Sequence, residues 1–190
     1  VQWVYSSKNN IELTQRYDEW AKEYDKDLIR DFGWTAPETA AQYLAKYTTP
    51  DSMVLDAGAG TGLVGEALSR KGFNNLTAMD LSKGMLEAAK QKNIYKQLDQ
   101  MTLGESLAYE ANIFDAVISV GVMTLGHASP NSFDELLRIT KRFGYIVFTI
   151  RIDVYLNNGF KEKQTDLESH NLWRLVEVSE EFPPLPIGEP

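Results

Sequence analysis

Between Met53 and Gly62 the chain reads M-V-L-D-A-G-A-G-T-G, an aspartate followed by three glycines at alternate positions. A second aspartate, Asp80, lies about twenty residues further on, the distance at which a ribose-reading acid follows a glycine loop. Glycine tolerates left-handed backbone and lets a ligand approach the main chain, so a strand entering such a loop and a helical pattern leaving it at Leu63 describe a ligand-holding turn. Two overlapping frames fit it. Gly60, Gly62 and Gly65 satisfy G-x-G-x-x-G, in which backbone amides cradle a pyrophosphate, and this frame points to an NAD(P)-dependent oxidoreductase. Asp56-x-Gly58-x-Gly60-x-Gly62 instead sets a carboxylate beside the loop, which repels a pyrophosphate and suits a cofactor bearing positive charge. Other chemistry-bearing residues are sparse. Cysteine is absent, neither His127 nor His170 has a partner at metal-ligand spacing, and no nucleophilic triad is visible. His127 follows the end of an apolar run, and an imidazole titrates near neutrality, so it is the candidate base for any proton the chemistry releases.

The elements that must position these residues alternate in type. Tyr17, Trp20 and Tyr24, spaced by three and four, predict one aromatic face of a helix over 11–29, and Thr35 with Pro37 and Glu38 predicts a capping box opening a helix to Tyr47. Strands are expected at Met53–Asp56, Leu76–Met79, Gln100–Leu103, Phe114–Val122, Tyr145–Ile152 and Leu172–Val178. Between them fall helices starting at Leu63, at Ser82 as a cap, at a Ser132–Glu135 box and at Phe160, with Gly144 closing the third of these. The almost unbroken apolar run from Phe114 marks a strand covered on both faces, central in the sheet. Strands alternating with helices give a doubly wound, mostly parallel sheet, whose ligands bind beyond the carboxyl ends of the strands. Gly58, Asp80, Leu103 and Ser119 all fall at or near those ends.

Composition narrows the classes. At 190 residues the chain makes one domain, here a helical cap over 1–50 and an α/β core over 51–182. A net charge of −8 disfavours nucleic-acid binding, which depends on lysine and arginine at phosphates. No apolar run spans a bilayer, and the lack of cysteine and of a signal-peptide pattern leads to the expectation of a cytoplasmic protein.

The second glycine frame resembles motif I of the class I S-adenosylmethionine-dependent methyltransferases, with Asp80 standing where the family's ribose-binding acid stands. The similarity extends over about 15–155. Tyr17-Asp18-x-Trp20-Ala21-x-x-Tyr24-Asp25 is similar to the N-terminal element of small-molecule methyltransferases, Leu81-Ser82-x-Gly84-Met85-Leu86 to the segment after motif II, and Asn112 to Val117 to the run into motif IV. The match is closest to the methyltransferase-like protein 27 group. The resemblance implies a Rossmann-like fold, S-adenosylmethionine as cofactor, S-adenosylhomocysteine as product and a small-molecule acceptor. It implies that Gly58, Ala59, Gly60 and Gly62 approach the methionine and ribose portions, that Asp80 accepts from the ribose hydroxyls, that Leu81 and Met85 pack against adenine, that Ser119 faces the methyl-transfer region, and that Tyr24, Asp56, Thr102 and Leu103 also belong to the cofactor site. Where the family often has an adenine-binding acid after the third strand, Thr102 and Leu103 stand here, leaving the adenine amino group to their backbone or to Glu105. The family's final antiparallel strand has no counterpart after Phe182. A cofactor-binding module without catalysis is the further alternative.

Overall fold

The structure, a computed structural model, describes residues 2–124 and 126–187. Five strands, β1 (Val54–Ala57), β2 (Leu76–Asp80), β3 (Tyr95–Gln100), β4 (Phe114–Met123) and β5 (Thr140–Ile150), form one sheet in the order β3–β2–β1–β4–β5. Every pairing is parallel. Parallel neighbours need crossovers, and the helices supply them on both faces. α3 (Ala36–Tyr47), α4 (Leu63–Arg70) and α5 (Lys83–Gln91) cover one face, where Leu44, Val64, Leu68 and Phe73 bury against Val54, Leu76 and Ile118, and Leu86 against Ala78. α6 (Ser132–Ile139), α7 (Ile152–Asn157) and α8 (Phe160–Ser169) cover the other, with Phe133, Leu136, Val154 and Phe160 against Leu55, Phe114 and Val117. Two N-terminal helices, α1 (Gln2–Tyr5) and α2 (Asn10–Trp20), and a π-helical turn, Lys26–Asp31, precede α3. The parallel, doubly wound sheet bears out the expected fold class.

Several local expectations are corrected. The first long helix ends at Trp20, a turn over 21–23 breaks it, and the chain is helical again from Tyr24 into the π turn, so Tyr24 lies beyond a break in the expected helix. Thr35 precedes α3 but makes no capping bond; its hydroxyl reaches the carbonyls of Pro183 and Pro184 (3.3 and 3.4 Å) instead. Ser132 likewise forms no box, since Glu135 turns to Arg138 and to the Leu107 amide. The third strand is Tyr95–Gln100, earlier than expected, because its half-buried, polar sequence at the sheet edge lacks an apolar run. Gly144 lies inside β5, which already starts at Thr140. The apolar run at Phe114 is next to the centre, with β1 the middle strand. Leu172–Val178 is not a strand: Leu172, Leu175, Val176 and Val178 are exposed, while Glu177 is held by Lys46 (2.9 Å) and by the Tyr47 hydroxyl (2.7 Å) of α3. No antiparallel strand is present among the described residues.

Candidate cofactor site

The loop after β1 folds back on the end of β2. The amides of Gly58 and Ala59 both donate to the Met79 carbonyl (2.8 and 2.9 Å), and Gly58, Gly60 and Gly62 all take positive φ (84°, 54° and 91°). A Cβ on Gly58 would overlap Val122 of β4, so here glycine meets both a backbone and a space requirement. The Gly60 amide then donates to Asp80 Oδ2 (2.8 Å), and the Ser82 amide donates to Asp80 Oδ1 (2.9 Å). One carboxylate at the end of β2 thus ties the glycine loop to the start of α5. Asp80 is nearly enclosed, and burial raises its pKa to about 6, although three backbone amides pull it down and Asp18 pushes it up.

Asp56 is deeper, 1% exposed, on the face of β1 that α4 covers. Its Oδ2 accepts the Tyr95 hydroxyl (2.5 Å), and that hydroxyl accepts the Gly65 amide (3.1 Å). Asp56 Oδ1 is buried with no partner among the described residues. Burial, chiefly, lifts this acid to about 7, with Asp80 adding to the rise and Tyr95 opposing it. Gly65 allows the Tyr95 packing: a Cβ there would overlap the phenol oxygen. The third glycine of the G-x-G-x-x-G frame therefore makes room for Tyr95.

Over this pair lies the N-terminal segment. Asp18 Oδ1 of α2 accepts the Gly84 amide (2.8 Å) and the Ser82 hydroxyl (2.5 Å), placing a carboxylate at the N-terminal end of α5, where the helix dipole favours it. Ser82 in turn caps α5 through the Met85 amide (3.0 Å), as its sequence position predicts. Asp25 accepts the Thr61 hydroxyl of the glycine loop and pairs with Lys92 (2.8 Å). Tyr24 is the side-chain neighbour of Gly60, 3.9 Å from where a Cβ would stand. Around it Trp20 (ring centroids 4.6 Å apart), Trp34 (6.4 Å) and Tyr17 (6.5 Å) form a half-buried aromatic cluster. His127 joins it, its Nε2 within 2.8 Å of the Tyr17 hydroxyl.

Asp56, Gly58, Ala59, Gly60, Gly62, Asp80 and Tyr24 thus come together. The Met101 amide donates to the Asp80 carbonyl (3.1 Å), which sets Thr102 and Leu103, half-buried, just past Asp80. Leu81 is half-buried beside it. Met85 and Ser119 lie beneath the surface: Met85 is fully buried, and Ser119 Oγ donates to the Ala57 carbonyl (2.7 Å), joining β4 to β1. The Ser119 hydroxyl is thus engaged between the two strands. Tyr95, the Thr61–Asp25 contact and Val122 escaped the reading by residue type. A tyrosine opening a polar edge strand carries no signature, and only the paired glycines at 62 and 65 hinted that something large packs there.

A parallel sheet in this order, with a glycine loop after β1 and a buried acid closing β2, defines the class I Rossmann-like arrangement for a nucleoside cofactor. Comparison with known proteins agrees. A methyltransferase-domain family matches residues 55–148. Human methyltransferase-like protein 27 is 38% identical over 139 residues, 71% of this chain and 56% of that protein, so the chain spans little more than half that relative's length. The 18S rRNA (guanine(1575)-N(7))-methyltransferase of Saccharomyces cerevisiae is 28% identical over 103 residues, 54% of this chain and 38% of that protein. Among solved structures, a TehB-like S-adenosylmethionine-dependent methyltransferase from Corynebacterium glutamicum superposes with a TM-score of 0.64 at 19% identity, over 87% of this chain and 94% of that one, a likeness of fold. The chain belongs to the class I S-adenosylmethionine-dependent methyltransferase family. Its residues fit that cofactor: three positive-φ glycines leave the loop backbone open to close approach, Asp80 can accept from a ribose, and the unpartnered Asp56 Oδ1 suits a cation rather than a phosphate.

Proposed function

We propose that the chain catalyses transfer of a methyl group from S-adenosylmethionine to a small-molecule acceptor. The observation that carries this reading is the pair of buried acids around the glycine loop, Asp80 bridging the Gly60 and Ser82 amides and Asp56 with one unpartnered oxygen. S-adenosylmethionine, when bound, supplies an electrophilic methyl on a sulfonium, so no metal or covalent protein intermediate is required for an in-line displacement. The chain's part is placement, a contribution that can reach about 7–11 kcal/mol when reacting atoms are held in line. Asp80 accepts from the ribose hydroxyls using lone pairs that its backbone amide partners leave over. Leu81, Met85, Thr102 and Leu103 border the adenine side, and the backbone at Gly58–Gly62 follows the methionine portion. Tyr24 and Trp34 close the acceptor side and exclude water. Where the acceptor must lose a proton, His127 takes it, oriented by the Tyr17 hydroxyl.

The small-molecule acceptor rests on the half-buried aromatic cluster, which offers flat apolar surface with polar tips, and on the −8 charge, which opposes an RNA phosphate backbone. Relatives of this chain include rRNA methyltransferases, so the acceptor needs a direct test. S-adenosylhomocysteine is expected to raise the melting temperature while NAD and NADP leave it unchanged, as ligand linkage requires. Stabilisation by a nicotinamide nucleotide alone would sink the reading. Asp80→Ala should cost about 1.5–3 kcal/mol of S-adenosylhomocysteine affinity, the range of a charged hydrogen bond. Turnover of S-adenosylmethionine with metabolite extract against rRNA fragments then identifies the acceptor class.

A further inference from the structure

Tyr95 is a half-buried residue whose ring packs against the glycine loop, α4 and α5. Its ring lies 3.0 Å from where a Cβ on Gly62 would stand, and its hydroxyl occupies the space left by Gly65. That hydroxyl is fully committed: it accepts from the Gly65 amide (3.1 Å) and donates its proton to Asp56 Oδ2 (2.5 Å). The bond fixes the carboxylate plane, so Asp56 Oδ1 is the oxygen left over, buried and without a partner among the described residues. A buried acceptor in that condition is costly unless a ligand satisfies it, and an ionised oxygen is best satisfied by a cation.

We propose that Tyr95 is the positioning residue of the cofactor site, holding Asp56 so that its free oxygen receives the α-ammonium of the cofactor's amino-acid portion. The proposal rests on the S-adenosylmethionine reading above. Tyr95 donates to the ionised form of Asp56 and thereby favours it, against burial and against Asp80, which both favour the neutral acid. The other charged groups around the phenol are Glu66 on α4 and, paired with Glu66, Lys92 after α5. Tyr95 therefore acts on cofactor binding through Asp56 and touches no reacting atom.

Titration calorimetry with two probes tests this: S-adenosylhomocysteine, which carries the α-ammonium, and 5′-methylthioadenosine, which keeps the nucleoside and lacks the amino-acid portion. Tyr95→Phe keeps the ring and its packing. It should weaken S-adenosylhomocysteine about tenfold or more, the loss expected for a charge-assisted bond, and leave 5′-methylthioadenosine within about twofold. The pH midpoint of S-adenosylhomocysteine binding should move up in Tyr95→Phe, because Asp56 loses the donor that favours its ionised form; a merely structural role leaves that midpoint in place. Equal losses for both probes, or no loss for either, would overturn the proposal. If Tyr95→Phe does not fold, Asp56→Asn carries the same test, and a loss shared by both probes again overturns it. Failure of the unsubstituted protein to bind either nucleoside would remove the cofactor reading itself, a result distinct from binding both probes without discrimination.

Discussion

Asp56 and Asp80 sit in low-dielectric surroundings that disfavour their charges, and hydrogen bonds from Tyr95 and from backbone amides, those of Ser82 and Gly60 among them, offset part of that cost. The consequence for stability has a definite sign. Asp56 titrates near 3.8 when unfolded and near about 7 when folded, so between those values the unfolded chain releases a proton that the folded chain retains. Folded stability from this group is therefore full below about pH 4, falls as pH rises toward about 7, and is flat beyond. Asp56→Asn removes the titration. Relative to the unsubstituted protein, the variant should gain stability progressively across that window in urea denaturation, while any fixed cost of the new amide shifts the curve without changing its slope. A difference independent of pH would show that Asp56 is not held neutral. At this scale the sequence was informative about which residues carry chemistry: Asp56, the alternate glycines and Asp80 converge as their spacing implied. It was silent about Tyr95, because the phenol–carboxylate bond joins residues 39 positions apart in sequence.

Helix α2 and the start of α5 form one polar joint. Asp18 meets the Gly84 amide and the Ser82 hydroxyl, and seven residues further Asp25 meets Thr61 and Lys92, so the cap is tied to the cofactor loop at two points. Asp18→Ala should cost about 1–2 kcal/mol, the worth of a helix-terminal carboxylate with a capping bond, and the loss should be local. Hydrogen exchange would read it as faster exchange in α2 and the first turn of α5, with β1 and β4 unchanged; uniform acceleration across the sheet would refute the joint. Element boundaries tracked the sequence where a local device operates, as at Ser82. The starts of α3 and α6 tracked it too, but the expected capping bonds did not form: Thr35 is drawn to Pro183 and Pro184, and Glu135 to Arg138 and Leu107. β3 was misplaced because an edge strand with polar side chains carries little periodic signal.

On the scale of the whole molecule, the last described stretch links the two helical layers. Trp173 packs on Phe133 (ring centroids 4.9 Å apart) and donates to the Gln164 carbonyl (3.2 Å), while Phe182 joins the apolar layer of α3 and Thr35 donates its amide to Pro184 (2.9 Å). Trp173→Ala should lower unfolding free energy by about 2 kcal/mol, less than a fully buried aromatic would lose because the ring is half-exposed. Chemical denaturation checks it, and an unchanged midpoint would make the contact incidental. By itself the sequence determined the alternation of strand and helix, the parallel sheet that follows from it, and the glycine frame with its two acids, because hydrophobic period and backbone freedom are local properties. Only the tertiary structure decided that Gly65 makes room for Tyr95, and which polar groups remain uncommitted, with Ser119 engaged by Ala57 and Asp56 left one free oxygen. Those outcomes depend on which side chains meet across the sheet, and such meetings are set by packing between residues far apart in the chain.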